Sequence, residues 1–123
     1  MVNKGSRGQD ICDRTRTFAL RIVHTYQQIR KHDVGRILGR QLLRSGTSVG
    51  ANVEEAQAAH SDKDFLFKMT IALKEARETR YWLLLLKDSA IFPAEKFDEI
   101  LDEIEQLIRI IYAIIQNTKQ NKQ

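Results

Sequence analysis

From Leu38 to Ala59 the chain repeats apolar and small residues at a fixed step. Leu38, Leu42, Ser45, Val49, Asn52, Ala56 and Ala59 are spaced four, three, four, three, four and three. That is one face of a long helix, in heptad spacing. The pattern passes unbroken through Arg44 to Ala56, RSGTSVGANVEEA, a stretch whose glycines, serines and asparagine would otherwise read as a loop. Each Gly costs about 1 kcal/mol against Ala in a helix interior. A helix that keeps them must gain something in packing. Gly35, Gly39, Gly46 and Gly50 stand four, seven and four apart, so they form a row of their own. Such a row predicts that another helix backbone approaches closely there, with Gly39, Gly46 and Gly50 as packing positions. The rival reading is a local kink. Asn52 lies on the heptad seam, where a buried amide must find partners; it is expected to fix register.

Three further segments carry helical periodicity. Ile11, Phe18, Ile22, Tyr26 and Ile29 mark a helix over about residues 10–30, and KHDVG reads as its connection to a second over 34–60. Ser61 followed by Asp64 is a capping-box variant that opens a third over 61–89, with the seam Phe65, Met69, Ala72, Ala76, Thr79, Leu83, Leu86. Pro93 suits the first turn of a fourth over 93–117, whose face runs from Phe97 to Ile115. Residues 1–9 are expected to be a flexible polar arm and 118–123 a polar tail. The result is an all-α chain, an up-down-up-down four-helix bundle in one domain over residues 10–117.

In a chain of 123 residues, a bundle folded alone leaves much of its surface wet. Tyr81 to Leu86 is apolar all round, although one stripe would suffice for a monomer. Tyr81, Trp82, Leu84 and Leu85 are therefore expected at a subunit interface. The longest apolar run is six residues and the N-terminus has no hydrophobic stretch, so a soluble, cytoplasmic protein without a membrane span or signal peptide is expected. One cysteine, Cys12, excludes an intramolecular disulfide and is read as a small packed thiol.

Catalytic patterns are missing. No His has a Glu three residues before it, as a di-metal carboxylate bundle needs. Ser45, Thr47 and Ser48 have no sequence-linked base, and SGTSVGAN lacks the Lys-Ser/Thr ending of a phosphate loop. The expectation is no enzyme, no cofactor and no metal. Charge is more informative. Residues 1–44 hold ten Lys and Arg against three Asp, a net +7; residues 93–116 hold two against six, a net −4. Arg36, Arg40 and Arg44 recur every fourth residue, and Arg14 and Arg21 make a second basic line. Like charges at that spacing call for an anionic partner. Either the acidic fourth helix, in this subunit or a neighbour, or a phosphate backbone would serve. No helix-turn-helix, zinc finger or aromatic single-strand platform is visible, so nucleic-acid binding through these five arginines would rest on charge and shape.

Between Gln41 and Leu86 the chain sets Gln41, Leu42 and Arg44, then Ser48, Val49 and Asn52, then Glu55 and Ala56 in order. The series continues through Ser61, Asp64 and Phe65 to Ala72, Glu75, Glu78 and Leu83. This combination resembles the bacterial four-helix bundle family named for proteins encoded in intervening sequences of 23S ribosomal RNA genes. The chain departs from the family pattern at Glu54, at Ala56, where Gly is common, and at Lys74–Glu75. The resemblance implies a ring-shaped homo-oligomer, a pentamer, and no inherited active site. It also implies kinship with the basic, pentameric accessory protein of diversity-generating retroelements. The partners it suggests are the chain itself, ribosomal or other structured RNA or DNA, and a reverse-transcriptase-like protein. The reading from the residues leaves a second function open, a protein–protein adaptor or assembly scaffold.

Overall fold

The computed structural model describes residues 2–121, with side chains from Gly8 onward. Four helices follow in order: α1 (Val2–Ile29), α2 (Asp33–Gln57), α3 (Asp62–Asp88) and α4 (Asp98–Asn121). A single 3-10 turn, Ala94–Phe97, leads into α4. Ion pairs fix the directions. Glu55–Lys68 and Arg44–Glu78 join α2 to α3, and Arg14–Glu103 and Arg21–Glu99 join α1 to α4, each set running oppositely along its two helices. Neighbours are therefore antiparallel. The α2–α3 contact is the most extensive, α1–α2 comes next, and the α1–α4 seam is the narrowest.

Every helix sends one apolar stripe inward. Phe18, Ile22 and Ile29, then Leu42 and Val49, then Met69, Leu83 and Leu86, then Phe97, Ile104, Leu107 and Ile111 have no exposed surface. Full burial of each such side chain stabilises the fold by roughly 1.5–3 kcal/mol. Three hydroxyls share the core, those of Thr15, Ser45 and Thr79. Thr79 Oγ1 donates to Ser45 Oγ at 2.9 Å, tying α3 to α2, and Thr15 Oγ1 donates to its own helix at Ile11 O, 2.8 Å. Each buried hydroxyl is thus satisfied.

The glycine row meets α1. A β-carbon on Gly46 would stand 2.8 Å from Ile22 Cγ1, one on Gly39 2.8 Å from Tyr26 Cδ1, and one on Gly50 3.2 Å from Thr15 Oγ1. At Gly35 it would collide with the Ile29 carbonyl oxygen. α2 is a single helix throughout, and the close approach of α1 explains the glycines. Asn52 departs from its expected role. Its side chain is half-buried and Nδ2 donates to Ser48 O of the same helix at 2.9 Å, while Val53 takes the buried place. A straight helix drifts about 20° per heptad against a 3.5 repeat, which turns Asn52 off the seam.

The ends differ from the sequence expectation. α1 extends back to Val2, where a loose arm to residue 9 was expected. Helices propagate until something stops them, and Gln9 reaches forward to Asp13 at 2.9 Å. α4 continues to Asn121, with Thr118 Oγ1 donating to Ile114 O at 2.8 Å; Met1 and residues 122–123 lie outside the described residues. α2 stops at Gln57 instead of His60, and α4 begins after the 3-10 turn instead of at Pro93. Ser61 does cap α3, accepting from Asp64 N at 3.1 Å. His32 caps α2 through Nδ1, which accepts from Val34 N at 3.1 Å. Replacing Gly46 by Leu forces a side chain into the Ile22 contact. Overpacking typically costs about 1–3 kcal/mol or more. A circular dichroism melt should show the midpoint lowered by several degrees; an unchanged melt would contradict the close-approach reading.

Candidate functional site

The five arginines singled out from sequence lie on two separate surfaces. Arg14 and Arg21 sit on the α1–α4 seam. Arg14 Nη2 donates to both carboxylate oxygens of Glu103 and to Gln106 Oε1, each at 3.0 Å, and both charged partners are part-buried. Arg21 reaches Glu99 at 3.5 Å on the open surface. The narrow apolar contact between these helices is thus bridged by charge. The acidic fourth helix of the same chain occupies these two cations.

Arg36, Arg40 and Arg44 lie along the outer face of α2. Arg44 pairs with Glu75 at 3.3 Å and with Glu78, both on α3. Arg36 makes a local contact with Asp33 at 3.4 Å. Arg40 is exposed and its side chain has no hydrogen bond or ion pair among the described residues. Farther along α2 the face turns acidic, and its carboxylates are engaged: Glu54 takes Arg16, and Glu55 takes Lys68 at 2.9 Å. Exposed pairs of this kind stabilise by about 0–1 kcal/mol each. Their importance is that they decide which charges remain for a partner.

Glu78 also accepts from Trp82 Nε1 at 3.0 Å, and the Trp82 ring stands edge-on to Tyr81 with centroids 5.1 Å apart. Trp82 is half-buried, whereas Tyr81, Leu84 and Leu85 are exposed, at 56%, 40% and 37%. The four residues expected at an interface therefore divide into one anchored indole and three outward apolar side chains. Phe67 on α3 is exposed too, at 61%. Between these apolar ends, Lys74, Arg77 and Arg80 are exposed with no ion pair among the described residues. Sequence spacing sets Lys74 four residues before Glu78. In the fold Arg44 and Trp82 take Glu78, and Lys74 has no ion pair among the described residues.

An open cleft of about 380 Å³ lies between α1 and the end of α2, lined by Gly8, Gln9, Cys12, Arg16, Glu54 and Gln57. Burial, then Glu54 and Asp13, push the Cys12 thiol above its ordinary range, while Arg16 opposes them. Among the described residues, no cluster of three or more His, Cys, Asp and Glu could hold a metal ion, and no helix is long and apolar enough to cross a membrane.

The geometry defines a small all-α bundle with a packed core, a charge-bridged seam and outer faces carrying unmatched cations. The chain belongs to the 23S rRNA-intervening sequence protein family, whose profile matches residues 7–113. A crystal structure of a protein of unknown function from the S23 ribosomal protein family of Bacteroides thetaiotaomicron is similar over 85% of this chain and 97% of its own. The two are 39% identical, with a TM-score of 0.81. No curated protein matches.

A raised thiol pKa means less thiolate at a given pH. Alkylation of Cys12 in the folded chain should run slower near pH 8 than in the urea-unfolded chain, and should keep rising with pH after the unfolded rate has levelled. Equal rates in mass spectrometry would contradict the burial of this thiol.

Proposed function

We propose that this chain is a non-enzymatic, cytoplasmic bundle that assembles with copies of itself, a pentamer being favoured, and binds structured RNA through its unmatched cations. The observation that supports the RNA reading is the set of exposed, unpaired Lys and Arg that remains after the acidic residues of α3 and α4 have taken Arg44, Arg14 and Arg21. A formal charge of +4 leaves such cations without internal compensation. Phosphate backbones attract them and release counterions on binding. The family's link to 23S ribosomal RNA genes makes a ribosomal RNA fragment the natural first probe. Affinity measured across a salt series should fall steeply, log against log, with a slope of about −0.7 to −0.9 per phosphate contact. No binding at low salt would remove this reading.

A specific observation favours self-assembly as the second part. Tyr81, Leu84 and Leu85 expose apolar surface at the end of α3 that this chain alone does not cover. Contiguous exposed apolar surface marks interaction sites. Leu84→Glu should shift the protein to a smaller species in analytical ultracentrifugation while its helical circular dichroism is kept. A parent chain that sediments as a monomer would overturn the assembly reading and leave RNA binding as a property of the single bundle.

A further inference from the structure

The unmatched cations are not spread evenly, and the intrachain ion pairs decide where they concentrate. Arg14 and Arg21 are held by α4, Arg44 by α3, and Arg16 by Glu54. What remains at one end of the bundle is a group around the turn from α1 to α2. Arg30 and Lys31 lie in the turn itself, and Arg36 and Arg40 follow on the first two turns of α2. All four are exposed. Arg30, Lys31 and Arg40 have no hydrogen bond or ion pair through their side chains among the described residues. Arg36 has only Asp33, at 3.4 Å.

The turn that displays them is well fixed. His32 caps α2 through Nδ1 and sets its ring edge-on to Phe92 of the α3–α4 connection, centroids 5.9 Å apart. Gly35 lies too close to the Ile29 carbonyl to admit a side chain. The adjoining α3–α4 corner adds Lys96, bonded to Gln28, and the exposed carboxylates Asp88 and Glu95. Asp33 is the carboxylate of α2 on this surface, and it is the one that meets a cation of the group. The α1–α2 end carries exposed apolar side chains of its own, Val34 and Ile37. The alternative row, Lys74, Arg77 and Arg80, lies on α3, the helix whose exposed Tyr81, Leu84 and Leu85 are assigned above to self-assembly.

Resting on the RNA reading above, we infer that the α1–α2 end, through Arg30, Lys31, Arg36 and Arg40, is the surface that contacts the RNA phosphate backbone, and that Asp33 restrains it by holding Arg36. Arg14, Arg21 and Arg44 are then structural cations.

The test uses the full chain and a hairpin transcribed from 23S ribosomal RNA. Changing Arg30, Lys31 and Arg40 together to Glu should weaken binding at least about tenfold near 0.1 M salt and flatten the log–log salt slope by about two. Asp33→Asn should tighten binding, by roughly threefold, since it frees one cation for phosphate. Arg14→Gln and Arg21→Gln should leave affinity within about twofold, because those cations already have carboxylate partners. Circular dichroism checks each variant, and if the triple reversal does not fold, the triple Gln variant replaces it with the same expected direction. If the parent chain binds the hairpin but the reversed or neutralised end binds equally well, this site is wrong and the RNA reading survives. Loss confined to a Lys74, Arg77 and Arg80 reversal would likewise overturn it and move the contact to α3. If the parent does not bind at low salt, the RNA reading falls and the site with it.

Discussion

The close approach of α2 to α1 is the contact on which the rest of the bundle depends. Four glycines on one face of α2 carry an intrinsic helix cost of about 1 kcal/mol each. The row is tolerable only because Ile22, Tyr26, Ile29 and Thr15 fill the space where β-carbons would stand. Dispersion between well-fitted atoms is small per contact and large in sum. The seating also fixes the rotation of α2. Once its glycine side faces α1, Ser45 turns toward Thr79 of α3, and the arginines turn outward. One steric choice thus sets both a buried polar bond and the composition of a surface.

The seams of the bundle are closed by different physics. α2 meets α1 through glycines and packed apolar groups, and α3 through Ser45–Thr79 with a rim of ion pairs. α1 and α4 touch over a narrower strip, and Arg14 fills the gap with three bonds to Glu103 and Gln106. A long guanidinium side chain can span a distance that a leucine cannot, and its stem still covers apolar surface. This division explains why the strongly basic first third of the chain and the acidic last third do not simply cancel. Only the arginines that face the α1–α4 seam meet α4. Those one helix further around are turned away from it.

Much of the fold was legible because periodicity is written residue by residue. The seams of all four helices, the Ser61 cap and the glycine row each follow from local spacing and backbone preference. The helix ends were less legible. Residues 2–9 are polar and hold two glycines, and 118–121 are polar; both were read as loose chain, yet neither holds a proline and the helices run on through them. Asn52 was misread for a different reason. Heptad counting treats 3.5 residues as a full turn, and over two heptads the error carries a half-buried side chain off the seam and brings Val53 in.

The surfaces were legible only in part. Arg14, Arg21, Arg36, Arg40 and Arg44 have the same chemistry and similar spacing, yet the fold gives them different neighbours. Which carboxylate a surface arginine meets depends on the relative rotation and axial shift of two helices, and single-chain spacing contains neither. Lys74 and Glu78 illustrate it: their i, i+4 spacing is ideal within α3, but Arg44 from α2 comes to Glu78. Short-range rules rank such a pair by distance along one helix, whereas the folded protein ranks it by distance in space. The same reasoning identifies what the sequence does encode about the surface. It fixes the number of cations that exceed the carboxylates, and the bundle only chooses where that excess is displayed. Among the described residues, Arg30, Lys31 and Arg40 stand unpaired around the α1–α2 turn, which the His32 cap and the close packing of Gly35 hold in place.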